Sequence, residues 1–296
     1  ATTAQYSVAV GYRTLISCTT GNNNVALGAG AGYYHTTGDH NVYIGHDAAR
    51  ASTTGYQNVL VGNYAGDSLT TAHNNTGVGY NVMGALTTGN GRNAAVGHGS
   101  MGACTTGVQN SAIGQNSLVA LTTGYMDVAV GCQSLDALTT AIETTAVGYD
   151  SGSAVTTGGY SVYLGTYAGN LATTGSNHCM VGHRAGDAVT TGHNDSCIGY
   201  QADVSSATVS NEFTLGNSSV DNLRCNDTSI SSLSDERDKA EISNLPSAAG
   251  LDFINKLRPV TFYWDRREWY KDGEVDGSEI THDFDPQVAN SGQRMG

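Results

Sequence analysis

Lysine is missing from the first 238 residues of this 296-residue chain; the first is Lys239. Over residues 1–203 only four arginines (Arg13, Arg50, Arg92, Arg184) stand against ten Asp or Glu, and the whole chain carries a net charge of −13. A surface this poor in cations cannot neutralise phosphates, which excludes nucleic acid as a partner. Long hydrophobic runs are also missing: no stretch of 18 apolar residues occurs, so no segment is read as inserting into a membrane. The six cysteines, at 18, 104, 132, 179, 197 and 225, form no CxxC pair. That argues against a disulfide framework or a metal site, and unpaired thiols suit assembly in a reducing cytosol. Charged residues make up 13 %, about half the usual share. No Gly-rich phosphate loop, paired-carboxylate cleft or Ser/His/Asp arrangement is present, so neither a cofactor nor a metal is expected. The opening residues show no signal-peptide pattern, and the first is not Met, as in a fragment.

What is abundant is glycine, 39 residues against 3 prolines, and it recurs on a period. A glycine follows a short apolar segment at Gly11, Gly28, Gly45, Gly62 and Gly79, then at Gly97, Gly114, Gly131, Gly148, Gly165, Gly182, Gly199 and Gly216. The spacing is 17 residues except for one step of 18 between Gly79 and Gly97, with the extra residue near Asn90-Gly91. The residue before each glycine is always Val, Ile or Leu, and Val is frequent two residues earlier (Val8, Val25, Val42, Val59, Val128, Val162). This is strand alternation, and it predicts that these aliphatic side chains face inward. Glycine then permits a sharp corner; Gly28, Gly45, Gly62, Gly114, Gly131, Gly165, Gly182 and Gly199 are read as structural turn residues. Beyond it come a small residue (Ala31, Ala48, Ala65, Ser117, Ala168), an apolar one such as Leu69, and a closing Thr-Thr-Gly. Cys18 and Cys104 share the column of Leu69, Leu86, Leu121 and Leu138 and read as small core fillers.

Stacked identical columns with short strands describe an all-β, parallel β-solenoid or β-roll of about twelve repeats. Rungs about 4.8 Å apart give a rod on the order of 60 Å long. Each rung is poor in apolar mass, which favours lateral packing of several chains. The segments Asn24-Val-Ala-Leu-Gly28, Asn58-Val-Leu-Val-Gly62 and Asn110-Ser-Ala-Ile-Gly114 resemble the β-roll heads of trimeric autotransporter adhesins and repeats in tail fibres of aquatic phages.

After residue 204 the repeat decays into what reads as a narrower, β-rich neck (204–233), and charge density jumps at Ser234-Asp-Glu-Arg-Asp-Lys239. Residues 247–257 are predicted to form a short amphipathic helix with Leu251, Ile254 and Leu257 on one side, ended by Pro259. Val260-Thr-Phe-Tyr-Trp264 then reads as a strand. Ser234 to Ile242, with Gly250 to Trp264, closely resembles the intramolecular chaperone domain at the C-termini of phage tailspikes, endosialidases and tail fibres. The resemblance implies an α+β segment at 234–296 that trimerises the chains and sets the register of the shaft at 1–203. It also implies single-turnover self-cleavage at the Leu233–Ser234 bond, with Ser234 as nucleophile and Lys239 as its base. The plainer alternative has Ser234 capping the following turn and Lys239 pairing with a carboxylate. The family domain normally continues through a helical hairpin, whereas this sequence ends at Gly296.

His46, His98 and His183 share the column after the glycine with Tyr12, Tyr80, Tyr149 and Tyr200. That column is expected to be a solvent-facing corner, with Tyr80, Tyr149 and Tyr200 as candidate contacts to a surface glycan. The combined reading is the distal part of a homotrimeric phage tail fibre. It would be assembled in the host cytoplasm, sit on the virion tail, join other tail proteins at its N-terminal end, and bind a glycan or protein receptor on the host cell surface. No substrate turnover is expected. Two other classes remain open: an ice-binding solenoid using its Thr-Thr ladder, and a bacterial trimeric surface adhesin.

Overall fold

The computed structural model describes residues 3–224. They form an all-β parallel solenoid of about twelve turns, and no helix occurs among them. Thirteen strands of three residues, β1 (Val8–Val10) through β13 (Phe213–Leu215), make one parallel sheet in sequence order. Neighbours pair in register at the repeat spacing, for example Val25↔Val42 and Leu27↔Ile44. At the inserted residue the step lengthens, and β5 (Thr76–Val78) meets β6 (Ala94–Val96) as Thr76↔Ala94. β13 lies within the segment read as neck, yet it continues the same register on β12 (Ser196–Ile198). The helix expected over 247–257, the strand over 260–264, and Ser234 with Lys239 lie outside the described residues.

The strand faces are the reverse of the sequence-based expectation. In nearly every strand the middle residue is buried and its two neighbours are open or half-open. The interior column is therefore Ala26, Tyr43, Leu60, Gly77, Ala95, Ala112, Ala129, Ala146, Tyr163, Met180 and Cys197. The Val/Ile/Leu residue before each glycine points outward: Leu27 is 46 % exposed, Val96 43 % and Ile113 51 %. The alternation was real, but period two cannot say which of its faces is the inner one.

Size compensation fills this narrow interior. Where the middle strand residue is small, a large one arrives from the far side of the turn: Ala95 with Met101, Ala112 with Leu118, Ala129 with Leu135. Where Leu60, Tyr163 or Met180 stands in the column, the far side of the same turn shrinks to Gly66, Gly169 or Gly186, and a Cβ added there would run into that large side chain. Tyr43 and Tyr163 also reach back over the turn before, where a Cβ on Gly32 or Gly152 would lie 3.1 Å from their rings. Leu69, Leu86, Leu121 and Leu138 complete the core with Cys104, while Cys18 is half-buried at the open end.

The corners impose unusual backbone. The glycines that follow β1 to β12 have φ between +123° and +146° (Gly28 +135°, Gly45 +136°, Gly62 +140°, Gly114 +137°, Gly131 +139°, Gly165 +140°, Gly182 +136°, Gly199 +123°), whereas Gly216 after β13 has +69°. L-residues rarely reach this region, and the Cβ of any other residue would meet the next rung's carbonyl. Two and four residues later the chain enters the left-handed region again, often without glycine, as at Gln133 (57°) and Leu135 (51°). Hydrogen bonds between rungs over-determine these conformations, for example Gln133 N–H to Gln115 O at 2.9 Å and Leu135 N–H to Ser151 O at 3.0 Å.

Candidate functional site

Three surfaces and one buried column emerge from this frame. The corner after each glycine turns the next two residues outward, and aromatic residues there meet across rungs. One track runs His46–Tyr64–Tyr80–His98: Tyr64 meets Tyr80 edge-on at 5.8 Å, and Tyr80 stacks on His98 at 5.2 Å and 9°. A second runs Tyr149–Tyr167–His183–Tyr200, closing with His183 stacked on Tyr200 at 5.5 Å and 14°. Arg184 lies 5.6 Å from the Tyr167 ring centroid. The three tyrosines singled out as glycan contacts are thus exposed but not gathered together. Tyr80 belongs to the first track, and Tyr149 and Tyr200 stand at the two ends of the second. The neighbouring Tyr167 phenol, and then Asp150, hold the Tyr149 hydroxyl above its ordinary range. Sequence inspection missed Tyr64 and Tyr167, because they sit one residue after the column that was followed.

The outward strand positions form the second surface: the residue before each glycine is aliphatic in all 13 strands, and the other outward position mixes Val with Thr76, Ser111, Thr145 and Ser196. No charged residue stands at either outward position in any of the 13 strands. Contiguous exposed apolar surface of this extent marks an interaction face. The third surface is the Thr-Thr ladder. The first threonine of each pair donates its hydroxyl to the equivalent carbonyl of the next rung, as Thr36 Oγ1 does to Thr53 O at 2.9 Å. From Thr36-Thr37 onward only the second threonine is exposed, so over those turns the rank presented to solvent is one residue wide rather than two.

Inside the solenoid an asparagine ladder runs just ahead of the strands. Asn24, Asn41, Asn58, Asn75, Asn93 and Asn110 are buried. Each side-chain oxygen accepts the backbone N–H of the next member, for example Asn41 N–H to Asn24 Oδ1 at 2.9 Å. In five of the six, the amide also donates to a carbonyl fourteen residues on, as Asn110 Nδ2 does to Gly124 O at 2.9 Å. From there the column becomes Asp127, Thr144, Ser161, His178 and Asp195. The repeating Asn was visible in the motifs quoted above, but nothing in the spacing said it pointed inward.

One buried arrangement looks like chemistry and is not. His35 Nε2 donates to Gly38 O at 2.8 Å, so its Nδ1 accepts from Ser52 Oγ at 3.2 Å, and Ser52 accepts from the Tyr43 hydroxyl at 3.1 Å. Burial holds the imidazole pKa below its ordinary value, and all three residues are fully enclosed. This is a satisfied core network with no route for a substrate. Among the described residues no group of three or more His, Cys, Asp or Glu could hold a metal ion, and no helix is long and apolar enough to cross a membrane. The cysteines at 18, 104, 132, 179 and 197 are free.

The catalytic pair inferred from resemblance, Ser234 and Lys239, lies outside the described residues, within the one segment that comparison with known proteins assigns. Residues 234–282 match the family model described as chaperone of endosialidase. No curated protein and no solved structure matches the chain. The chain is thus a β-solenoid repeat protein followed by a segment similar to the intramolecular chaperone of endosialidases.

Proposed function

We propose that this chain is the shaft and tip of a homotrimeric phage tail fibre, which attaches the virion to the host cell surface. The observation that carries the reading is a pairing: a solenoid with an unbroken aliphatic outer face stands directly upstream of the chaperone match at 234–282. A second copy of the same chain has the same rung spacing, so its outward Val, Ile and Leu residues can meet this face rung for rung. Burial between chains supplies the apolar contact that a rung of small interior residues lacks. The chaperone segment brings the chains together before the solenoid closes. That helps a fold whose strand pairing always joins residues a full turn apart. Within this reading Ser234 and Lys239 release the segment by cutting the Leu233–Ser234 bond.

The two aromatic tracks supply the receptor contact, with Tyr80, Tyr149 and Tyr200 as exposed rings beside hydrogen-bonding His and Arg groups. A host-range exchange tests the assignment. Replacing residues 3–224 in the fibre of a phage with a different host is expected to move adsorption to the new host. Unchanged host range in a correctly assembled virion contradicts it.

A further inference from the structure

The buried ladder changes chemistry at one rung. Asn110 donates its amide to Gly124 O at 2.9 Å. One turn later Asp127 takes the same place, fully buried, accepting Thr144 N–H on Oδ1 at 3.0 Å as an asparagine would. Its other oxygen, Oδ2, has no hydrogen-bond partner. The surroundings of that oxygen are those of the amide nitrogen it replaces. A Cβ built on Gly107 would lie 3.0 Å from Asn110 Nδ2 and 2.9 Å from Gly124 O. On Gly124 the corresponding distances are 2.9 Å to Asp127 Oδ2 and 2.5 Å to Ala141 O. Oδ2 therefore faces a backbone carbonyl, oxygen to oxygen, where five of the six asparagine rungs place a donor.

We propose that Asp127 is carried as a neutral carboxylic acid whose Oδ2–H donates to the carbonyl of Ala141, so that one proton completes the ladder and locks this rung. An ionised carboxylate there leaves two acceptors facing each other out of reach of water, an arrangement that buried polar groups avoid. The neighbours supply no compensating charge. Asn110 on the turn before, Thr144 on the turn after, and Leu121 and Gly124 beside it are uncharged. The ionisable side chains of these turns, Tyr125, Cys132, Asp136, Glu143, Tyr149 and Asp150, are not among the groups that act on it. Burial, opposed only by the Thr144 N–H, pushes the Asp127 carboxyl up to about 7.

The consequence has a definite sign. The closed rung holds its proton more tightly than the opened one, so the lock is complete at low pH and is lost as pH rises through about 7. The test is hydrogen exchange on the full chain, read over residues 124–147 and corrected for the intrinsic exchange rate at each pH. The opening constant of this segment is expected to rise about tenfold per pH unit from about pH 4 to 7 and then level off. Residues 38–61, where Asn41 and Asn58 occupy the column and both donate to the carbonyl fourteen residues on, serve as the internal reference and are expected to show no such rise. Asp127→Asn, which restores the residue of the earlier rungs, is expected to remove the rise. It is also expected to remove a neutral-carboxyl infrared band present in the unmodified chain at pH 5.5. A flat opening constant in the unmodified chain, or the lack of that band, overturns the proposal even if the variant fails to assemble.

Discussion

Placing aspartate at two neighbouring outward positions, Val96→Asp with Ile113→Asp, is expected to reduce the assembled chain to single chains. The two side chains pair across β6 and β7 (Ser111–Ile113) and point away from the solenoid interior. Their loss should leave the intrachain ladder intact, with unchanged far-ultraviolet circular dichroism. Removing each aliphatic group from an interface forfeits about 1.5–3 kcal/mol of burial. Trapping a carboxylate there adds several kcal/mol more. Even the burial term alone, about 3 kcal/mol per chain, weakens association by about a hundredfold. Native mass before and after substitution reads the result directly. If the doubly substituted chain keeps its assembly, the aliphatic face is not the contact.

Gly45→Ala is expected to be a severely damaging single-methyl change. Its φ of +136° is closed to L-residues, and the added Cβ would overlap the carbonyl of Gly62 on the next rung. That overlap cannot be relieved locally. Gly45 N–H donates to Leu27 O at 2.8 Å and Gly62 N–H to Ile44 O at 2.7 Å, so moving one carbonyl opens the ladder on both sides. Backbone strain of this kind costs about 1–3 kcal/mol, and each disrupted buried hydrogen bond adds about 1–3 kcal/mol. A loss of about 3 kcal/mol or more is expected in chemical denaturation. Thr54→Ala, at an exposed position of a neighbouring turn, is expected to stay within about 0.5 kcal/mol. Equal effects from the two substitutions would refute the role assigned to the corner.

Much of this frame was legible before any coordinates. Registered glycines gave the period and the inserted residue near Asn90-Gly91, and the aliphatic residue before each glycine located every strand. The direction of the strand faces was not legible. Uniform Val and Ile look like core residues, while the true interior column mixes Ala26, Tyr43, Gly77 and Met180 and so looks unselected. Its logic lies in pairing across the turn, Tyr163 against Gly169 and Ala112 against Leu118, which a strand-by-strand reading does not examine. The same applies to the aromatic tracks. Tyr80 and Tyr200 were found by following one column, whereas Tyr64 and Tyr167 reach the tracks from the adjacent column through left-handed backbone. The chaperone-like segment was legible in the text Ser234 to Ile242 and Gly250 to Trp264, and the family match spans residues 234–282.

The central claim is that the outer aliphatic face is covered by further copies of this chain. The native mass of the full chain in solution tests it most directly. The account predicts a trimer, near three times 30.6 kDa while the Leu233–Ser234 bond is uncut and made of three 1–233 chains once it is cut. A single, stable species of 30.6 kDa would leave the face open to water and contradict the fibre reading.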